Sequence, residues 1–441
     1  MYRLALICGL SFFLLASVCA FAQQPSTTGS SAAPVPAFDV KAAVDAYLAS
    51  VPAGDRARSD AYFEGGYWLI LWDFLLGAVV SVLLLSTRTS ARMRDLAERI
   101  TRFKPIQTFV YWAEYVILTT ILAFPLAAYE GFFRERKYGL MNQSFGAWFG
   151  DQMTGMLIGI ILFGVLIVAL FGIVRRLQRT WWIWASVVSI VFLMFTVLIS
   201  PVYIAPLFNK YTKLQDQRVT QPILAMARAN GIPATDVWEV DASRQSKRVS
   251  ANVSGFLGTE RITLNDNLLK RCTLPEIETT MGHEMGHYVM HHIYKDMLFY
   301  TIEALIFFGF LNWSLNWSLA RWGEQWGIRG IGDTAVVPLV VLLGSVFFFV
   351  ATPVNNSWTR VQEFEADIFG LNVAGQPDGE ARVDLMLGEY RKLDPGPWEE
   401  IIFFDHPSGR TRITAAMRWK AEHLSQPEPA EENIPPSAKA H

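Results

Sequence analysis

The stretch His283-Glu284-Met285-Gly286-His287 sets two imidazoles four residues apart, with a carboxylate beside the first. On a helix that spacing puts both rings on one face, about one turn apart. It is the separation at which two ring nitrogens share a zinc ion. Glu284 can take a proton from a water that such an ion has acidified to a pKa of about 7. A Lewis acid with a general base beside it is what peptide-bond hydrolysis demands. Four of the chain's seven histidines fall between positions 283 and 292. His291 and His292 lie a turn beyond His287 and read as neighbours of the site or as surface groups rather than as ligands.

A catalytic zinc ion needs a third protein ligand and one open position. The stretch from Trp358 to Val373 reads as a helix, with Phe364, Ile368 and Leu371 on one stripe. Glu363 and Asp367 share another face. Glu363 can ligate the metal, and Asp367 can accept a hydrogen bond from the second nitrogen of a ligand histidine. Glu365 should point away into solvent. A third element, Phe403–Ile413, supplies His406 in a turn before Pro407, able to donate to a developing oxyanion. The same element carries Arg412, able to lock Glu363 or to add positive charge.

The metal-binding helix has its own start signal: Thr273 as N-cap, Pro275 in the first turn and Glu276 in the capping-box position. Gly282 and Gly286 each cost a helix about 1 kcal/mol relative to alanine, so their use implies the close approach of another helix or of substrate.

Around these elements the chain is membrane-like. Of 441 residues, 52% are hydrophobic and 18% charged, against about 25% charged in ordinary soluble domains. Six apolar runs reach the length of about 20 residues that a bilayer requires: Tyr67–Thr87, Ile106–Ala128, Met153–Val174, Trp181–Val202, Met297–Leu319 and Val336–Pro353. Three of them carry acids, Asp73, Glu114 and Glu303, which should face a bundle interior or lie near span ends. The net charge of −2 gives no sign of nucleic-acid binding. With Cys8, Cys19 and Cys272 alone, neither a disulfide framework nor a cysteine metal site is expected.

The organisation follows. Residues 1–22 read as a secretory leader cleaved after Ala22, with an uncleaved first span as the rival. Residues 23–65 begin as a Pro/Ser/Ala-rich linker. Four spans occupy 66–202, the first half of the zinc domain 203–296, two further spans 297–354, the second half of the domain 355–423, and a Pro/Glu/Ala-rich tail 424–441. Arginines crowd the loop 88–104 and, as Arg175, Arg176 and Arg179, the loop between the third and fourth spans. Both loops should be cytoplasmic, which puts the zinc domain on the outer side.

These residues resemble the type I zinc-dependent CAAX prenyl proteases, a family of integral-membrane gluzincins. The likeness rests on His283-Glu284-Met285-Gly286-His287, on Glu363-Phe364-Glu365-Ala366-Asp367, and on His406-Pro407 with Arg412. Pro206–Leu214 and Arg261–Leu269 extend it upstream. The resemblance implies a mainly α fold: a barrel of six or seven membrane helices around a water-filled chamber, closed at one end by a zinc metalloprotease domain with a small β-sheet. It implies one zinc ion on His283, His287 and Glu363, Glu284 as general base and acid, and His406 stabilising the tetrahedral intermediate. Asp367, Arg412 and His292 would support the ligands, and His291 has no counterpart.

Two departures bear on substrate. An edge strand that pairs with peptide backbone is expected at Ala251 and Asn252, but the side chains of Ser250–Phe256 differ from the family's usual Asn-Ala-aromatic. The arginines also turn the zinc domain away from the cytoplasm, whereas eukaryotic members face the cytosol. A bacterial inner-membrane protein with a periplasmic zinc domain fits, acting on peptides or proteins, membrane-associated or lipidated ones included. A quality-control protease for unprenylated envelope proteins, and an inactive zinc-binding scaffold or transporter, are the rival readings.

Overall fold

The computed structural model describes residues 38–254 and 260–424. The leader or seventh span (1–22), the low-complexity linker and the tail from 425 onward lie outside the described residues. Among those described, six helices are long and apolar enough to cross a membrane.

After a short helix α1 (Val40–Ser50), the first span is α2 (Ala53–Ser86). A surface helix α3 (Thr89–Ile100) then leads to α4 (Lys104–Ala128), α5 (Phe145–Arg176) and α6 (Trp181–Ile199). The zinc-domain segment follows: β1 (Tyr211–Lys213), α7 (Gln217–Ala229), β2 (Val237–Val240), β3 (Ala251–Ser254), β4 (Arg261–Asn265) and α8 (Leu274–Val289). The last two spans are α9 (His292–Trp326) and α10 (Val337–Ala374). Helices α11 (Pro377–Leu387), α12 (Pro397–Phe403) and α13 (Gly409–Glu422) complete the order.

The six spans close a ring. α2 packs against α10, α10 against α9, α9 against α6, α6 against α5, α5 against α4, and α4 against α2. Their outer surfaces keep large apolar side chains exposed, as on α6 at Trp184, Val191 and Leu198. That is the pattern of a helix facing lipid rather than water. Glu303, expected inside or near a span end, is buried within the ring at 2% exposure.

The sequence reading separated the last span from the ligand helix. The structure joins them: α10 runs 38 residues without a break, through Pro353, from the membrane to Glu363 and Asp367. A bilayer needs about 20 residues, so the second half of α10 is a rigid arm reaching out of the membrane into the zinc domain.

That domain carries a four-stranded mixed sheet in the order β1-β2-β4-β3. β2 and β4 are parallel and the outer pairs antiparallel. One face of the sheet, through Ile262 and Leu264, packs on Ile277, Met281 and Met285 of α8, all essentially fully buried. Each such side chain stabilises by about 1.5–3 kcal/mol, which fixes the roll of α8 about its axis.

Candidate metal centre

Helix α8 begins where the sequence predicts: the Glu276 carboxylate accepts from the Thr273 backbone amide at 2.7 Å. Its side chains then divide into stripes about 100° apart. Met281 and Met285 enter the core under the sheet. Gly282 and Gly286 face α10, where a Cβ would lie 3.0 Å from the Gly370 Cα and 3.1 Å from the Ala366 Cα respectively. A Cβ on Gly370 would in turn lie 2.8 Å from the His283 amide nitrogen. The glycines therefore admit a helix, not substrate, and the helix they admit is the one bearing Glu363.

The third stripe is His283 and His287. The His283 Nε2 lies 3.1 Å from the His287 Nε2 and 3.2 Å from the Glu363 Oε2, and the His287 Nε2 lies 3.5 Å from the Glu363 Oε1. One ligand atom from each residue falls within 4.8 Å of the others.

Their partners settle which nitrogens carry protons. The His283 Nδ1 lies 2.7 Å from the Asp367 Oδ1 and donates to it, so its Nε2 presents a lone pair. The His292 Nε2 donates to Glu365 at 3.1 Å, leaving the His292 Nδ1 to accept from the His287 Nδ1 at 2.9 Å. The His287 Nε2 then also presents a lone pair. Two nitrogen lone pairs and a carboxylate converge within van der Waals distance. Without a metal a proton on His283, favoured by Asp367 and Glu363, bridges the contact; with that proton displaced, the two Nε2 atoms and the carboxylate form an N₂O donor set that zinc accepts. The residues fit the metal.

Sequence reasoning misjudged Glu365. It does not point into solvent: it accepts from His292 and from the Lys295 Nζ at 2.6 Å, and so sets the tautomer of His287 through His292. His291 stands apart, exposed, in a left-handed turn at φ 57° between α8 and α9.

Arg412 also differs from expectation, because its partners are carboxylates behind the site rather than Glu363. Its Nε donates to the Asp367 Oδ2 at 2.9 Å and its Nη2 to the Asp367 Oδ1. Its Nη1 lies 3.2 Å from Asp384 and its Nη2 3.5 Å from Glu380. Glu380 accepts from the Thr279 hydroxyl at 2.6 Å, one turn before His283. All of these side chains are buried. Burial pushes the Glu380 and Asp384 carboxyls above the usual carboxylate range, against the pull of Arg412. Neither residue was singled out from the sequence, although an acid pair four apart on a helix that also buries Ala381 and Val383 was a usable signal.

His406 reaches the site from the turn before α13. Its Nε2 lies 3.2 Å from the Glu363 Oε2, and its Nδ1 lies 2.8 Å from Asp405, an orienting carboxylate that the sequence reading passed over. Glu284 follows His283 on α8, half-buried, and burial pushes its carboxyl up to about 7. Burial, then the adjoining His283 charge, lower His287 to about 4, while the Asp367 and Glu363 contacts outweigh burial and raise His283 well above its ordinary value.

Ala251 and Asn252 lie on β3, which pairs with β4 on one side only, at an outer edge of the sheet, and packs against α8. The remainder of Ser250–Phe256 lies partly outside the described residues.

Comparison with known proteins now bears on this geometry. Residues 213–420 match the model of peptidase family M48, and residues 45–210 match that of the CAAX prenyl protease N-terminal region, described as five membrane helices. Four candidate spans lie in that matched stretch. The chain is 29% identical to the uncharacterized metalloprotease YhfN of Bacillus subtilis over 76% of its own length and 79% of the relative's. It is 26% identical to a CAAX prenyl protease 1 homolog of Oryza sativa (70% and 73%) and 23% identical to CAAX prenyl protease 1 of Saccharomyces cerevisiae (68% and 69%). Its fold matches the crystal structure of S. mikatae Ste24p with a TM-score of 0.72 at 19% identity, covering 86% of this chain and 94% of that one. The chain is a multi-pass membrane metalloprotease belonging to peptidase family M48, similar to the CAAX prenyl proteases.

Proposed function

We propose that the chain is a zinc endopeptidase whose ion is held, one per chain, by His283, His287 and Glu363. The observation that carries this reading is the convergence of two histidine lone pairs and the Glu363 carboxylate, with Asp367 and His292 fixing the two tautomers. Zinc held there supplies Lewis acidity toward water and the substrate carbonyl.

The chain's own residues do the rest. Glu284 takes a proton from the attacking water and passes it to the amine of the leaving peptide, and a carboxyl poised near 7 exchanges that proton at neutral pH. His406, held through its Nδ1 by Asp405, donates to the oxyanion. Arg412 holds Asp367 in place. The outer edge of β3 at Ala251 and Asn252 offers main-chain groups to an extended peptide, so pairing depends little on the side chains that differ there.

The arginine-rich loops lie at the end of the ring opposite this site, which supports the reading of an outer, periplasmic site on a bacterial inner membrane. That sidedness favours unprenylated envelope proteins as substrates. The test is mass spectrometry of a peptide library incubated with detergent-purified wild type and Glu284→Gln. Products from the wild type alone support the proposal. No products from either leave the scaffold or transporter reading, and equal products from both remove Glu284 from the chemistry.

A further inference from the structure

At the end of the ring away from the zinc domain, a cavity of about 710 Å³ opens between the start of α4, the end of α5 and the α9–α10 loop. Its charged lining is Arg94, Lys104, Arg175 and Arg329 against Glu98 and Asp333. The two acids are committed. Asp333 accepts from the Arg94 Nη1 at 2.5 Å, from the Arg329 amide at 2.8 Å and from the Ala335 amide at 3.0 Å. Glu98 takes the Arg329 Nη1 on both oxygens at 2.9 Å.

Two cations are left over. Lys104 reaches Glu98 only at 3.5 Å and is 60% exposed. Arg175 has no carboxylate partner among the described residues. It lines the cavity with its guanidinium carbon 5.2 Å from the Phe171 ring centroid; its Nε donates to the Gly332 carbonyl at 3.0 Å and its Nη1 to the Thr108 hydroxyl at 3.1 Å, which leaves its Nη2 with no hydrogen bond among the described residues.

The surroundings indicate the class of ligand. Leu319 and Ile331 line the same cavity, and Trp313 and Trp317 are exposed on the lipid-facing side of α9 beside it, in the manner of an interfacial belt. A cationic recess with apolar walls at headgroup depth suits a phosphate monoanion carrying a glycerol stem.

We propose that this cavity binds a phosphate-bearing anion, contacted by Arg175 and Lys104, which ties three inter-span elements together at the end of the ring away from the zinc domain. The site is independent of the zinc chemistry.

The experiment uses the full chain, purified in detergent and delipidated, with native mass spectrometry and thermal unfolding as readouts. Phosphatidylglycerol, phosphatidylcholine and soluble glycerol phosphate are added separately to wild type, Lys104→Gln and Arg175→Gln. Wild type is expected to retain phosphatidylglycerol over phosphatidylcholine and to melt higher with it. Lys104→Gln should weaken retention about tenfold, the loss of one charge-assisted contact, with zinc content unchanged as the check on folding. Because Arg175 also braces Gly332, Lys104→Gln decides the matter if Arg175→Gln does not fold. Stabilisation by glycerol phosphate as well assigns the site to soluble phosphates, and stabilisation by the lipid alone assigns it to headgroups. Equal retention of the two lipids with no effect of glycerol phosphate, or wild-type retention by Lys104→Gln, overturns the proposal.

Discussion

Both ends of the helical ring bury an arginine, and the two are balanced differently. Arg94 and Arg412 have the same side-chain exposure, 8%. Arg94 meets Asp333 at 2.5 Å and Asp95 at 2.8 Å, and its Nη1 also donates to the Gly327 carbonyl at 2.8 Å, a compact knot that fastens α3 to the α9–α10 loop. Arg412 faces three buried carboxylates, Asp367, Glu380 and Asp384. A guanidinium in near balance closes a structure. One set among several acids keeps Asp367 ionised as the acceptor for His283, while burial pushes Glu380 and Asp384 toward their neutral forms. The same residue type is a rivet at one end and a brace behind the candidate metal centre at the other.

The contrast can be broken experimentally. The largest effect is expected at the metal end, in rate: Glu284→Gln should lower peptide cleavage by about 10²–10⁴-fold while elemental analysis still finds one zinc per chain. At the fastened end the effect should be on stability. Asp333→Asn leaves Arg94 short of a buried partner and should cost about 3–5 kcal/mol, seen as a lower melting temperature with cleavage per folded molecule unchanged. Lost zinc in that variant would show that the two ends are not separable.

Asp367→Asn removes the acceptor that sets the His283 tautomer and should weaken zinc affinity about 10–100-fold, measured by competition with a chelator. Unchanged affinity would mean that Arg412 and Asp367 serve the fold alone. The smallest change is Gly282→Ala, which sets a methyl 3.0 Å from the Gly370 Cα. It should destabilise by about 1–3 kcal/mol through overpacking, with zinc affinity falling in step because the α8–α10 crossing carries Glu363.

Much of this arrangement was legible beforehand. The cluster of His283, His287 and Glu363, with His406 beside it, could be read because its signals are local: four-residue spacings on two helices, and a histidine before a proline. The spans were visible as runs of apolar residues, which need no partner to be recognised. What stayed hidden depended on which helix lies against which. Nothing in the spacing of Glu380 and Asp384 says that Arg412 will come between them and Asp367. Glu365 looked solvated because it falls outside the face that Glu363 and Asp367 share, while the groups that engage it, His292 and Lys295, belong to α9. The continuity of α10 was obscured by Pro353, a residue that usually ends or kinks a helix, here carried through within a long span. The glycines of α8 gave the reverse case: their cost was apparent, and only the crossing with α10 explains it.

The central claim is the convergence of His283, His287 and Glu363 on one ion. Anomalous diffraction at the zinc edge from crystals of the purified protein tests it most directly. The account predicts a single peak about 2.0–2.2 Å from the His283 Nε2, the His287 Nε2 and a Glu363 oxygen. A peak elsewhere, or bound zinc that leaves Glu363 outside its coordination sphere, would contradict it.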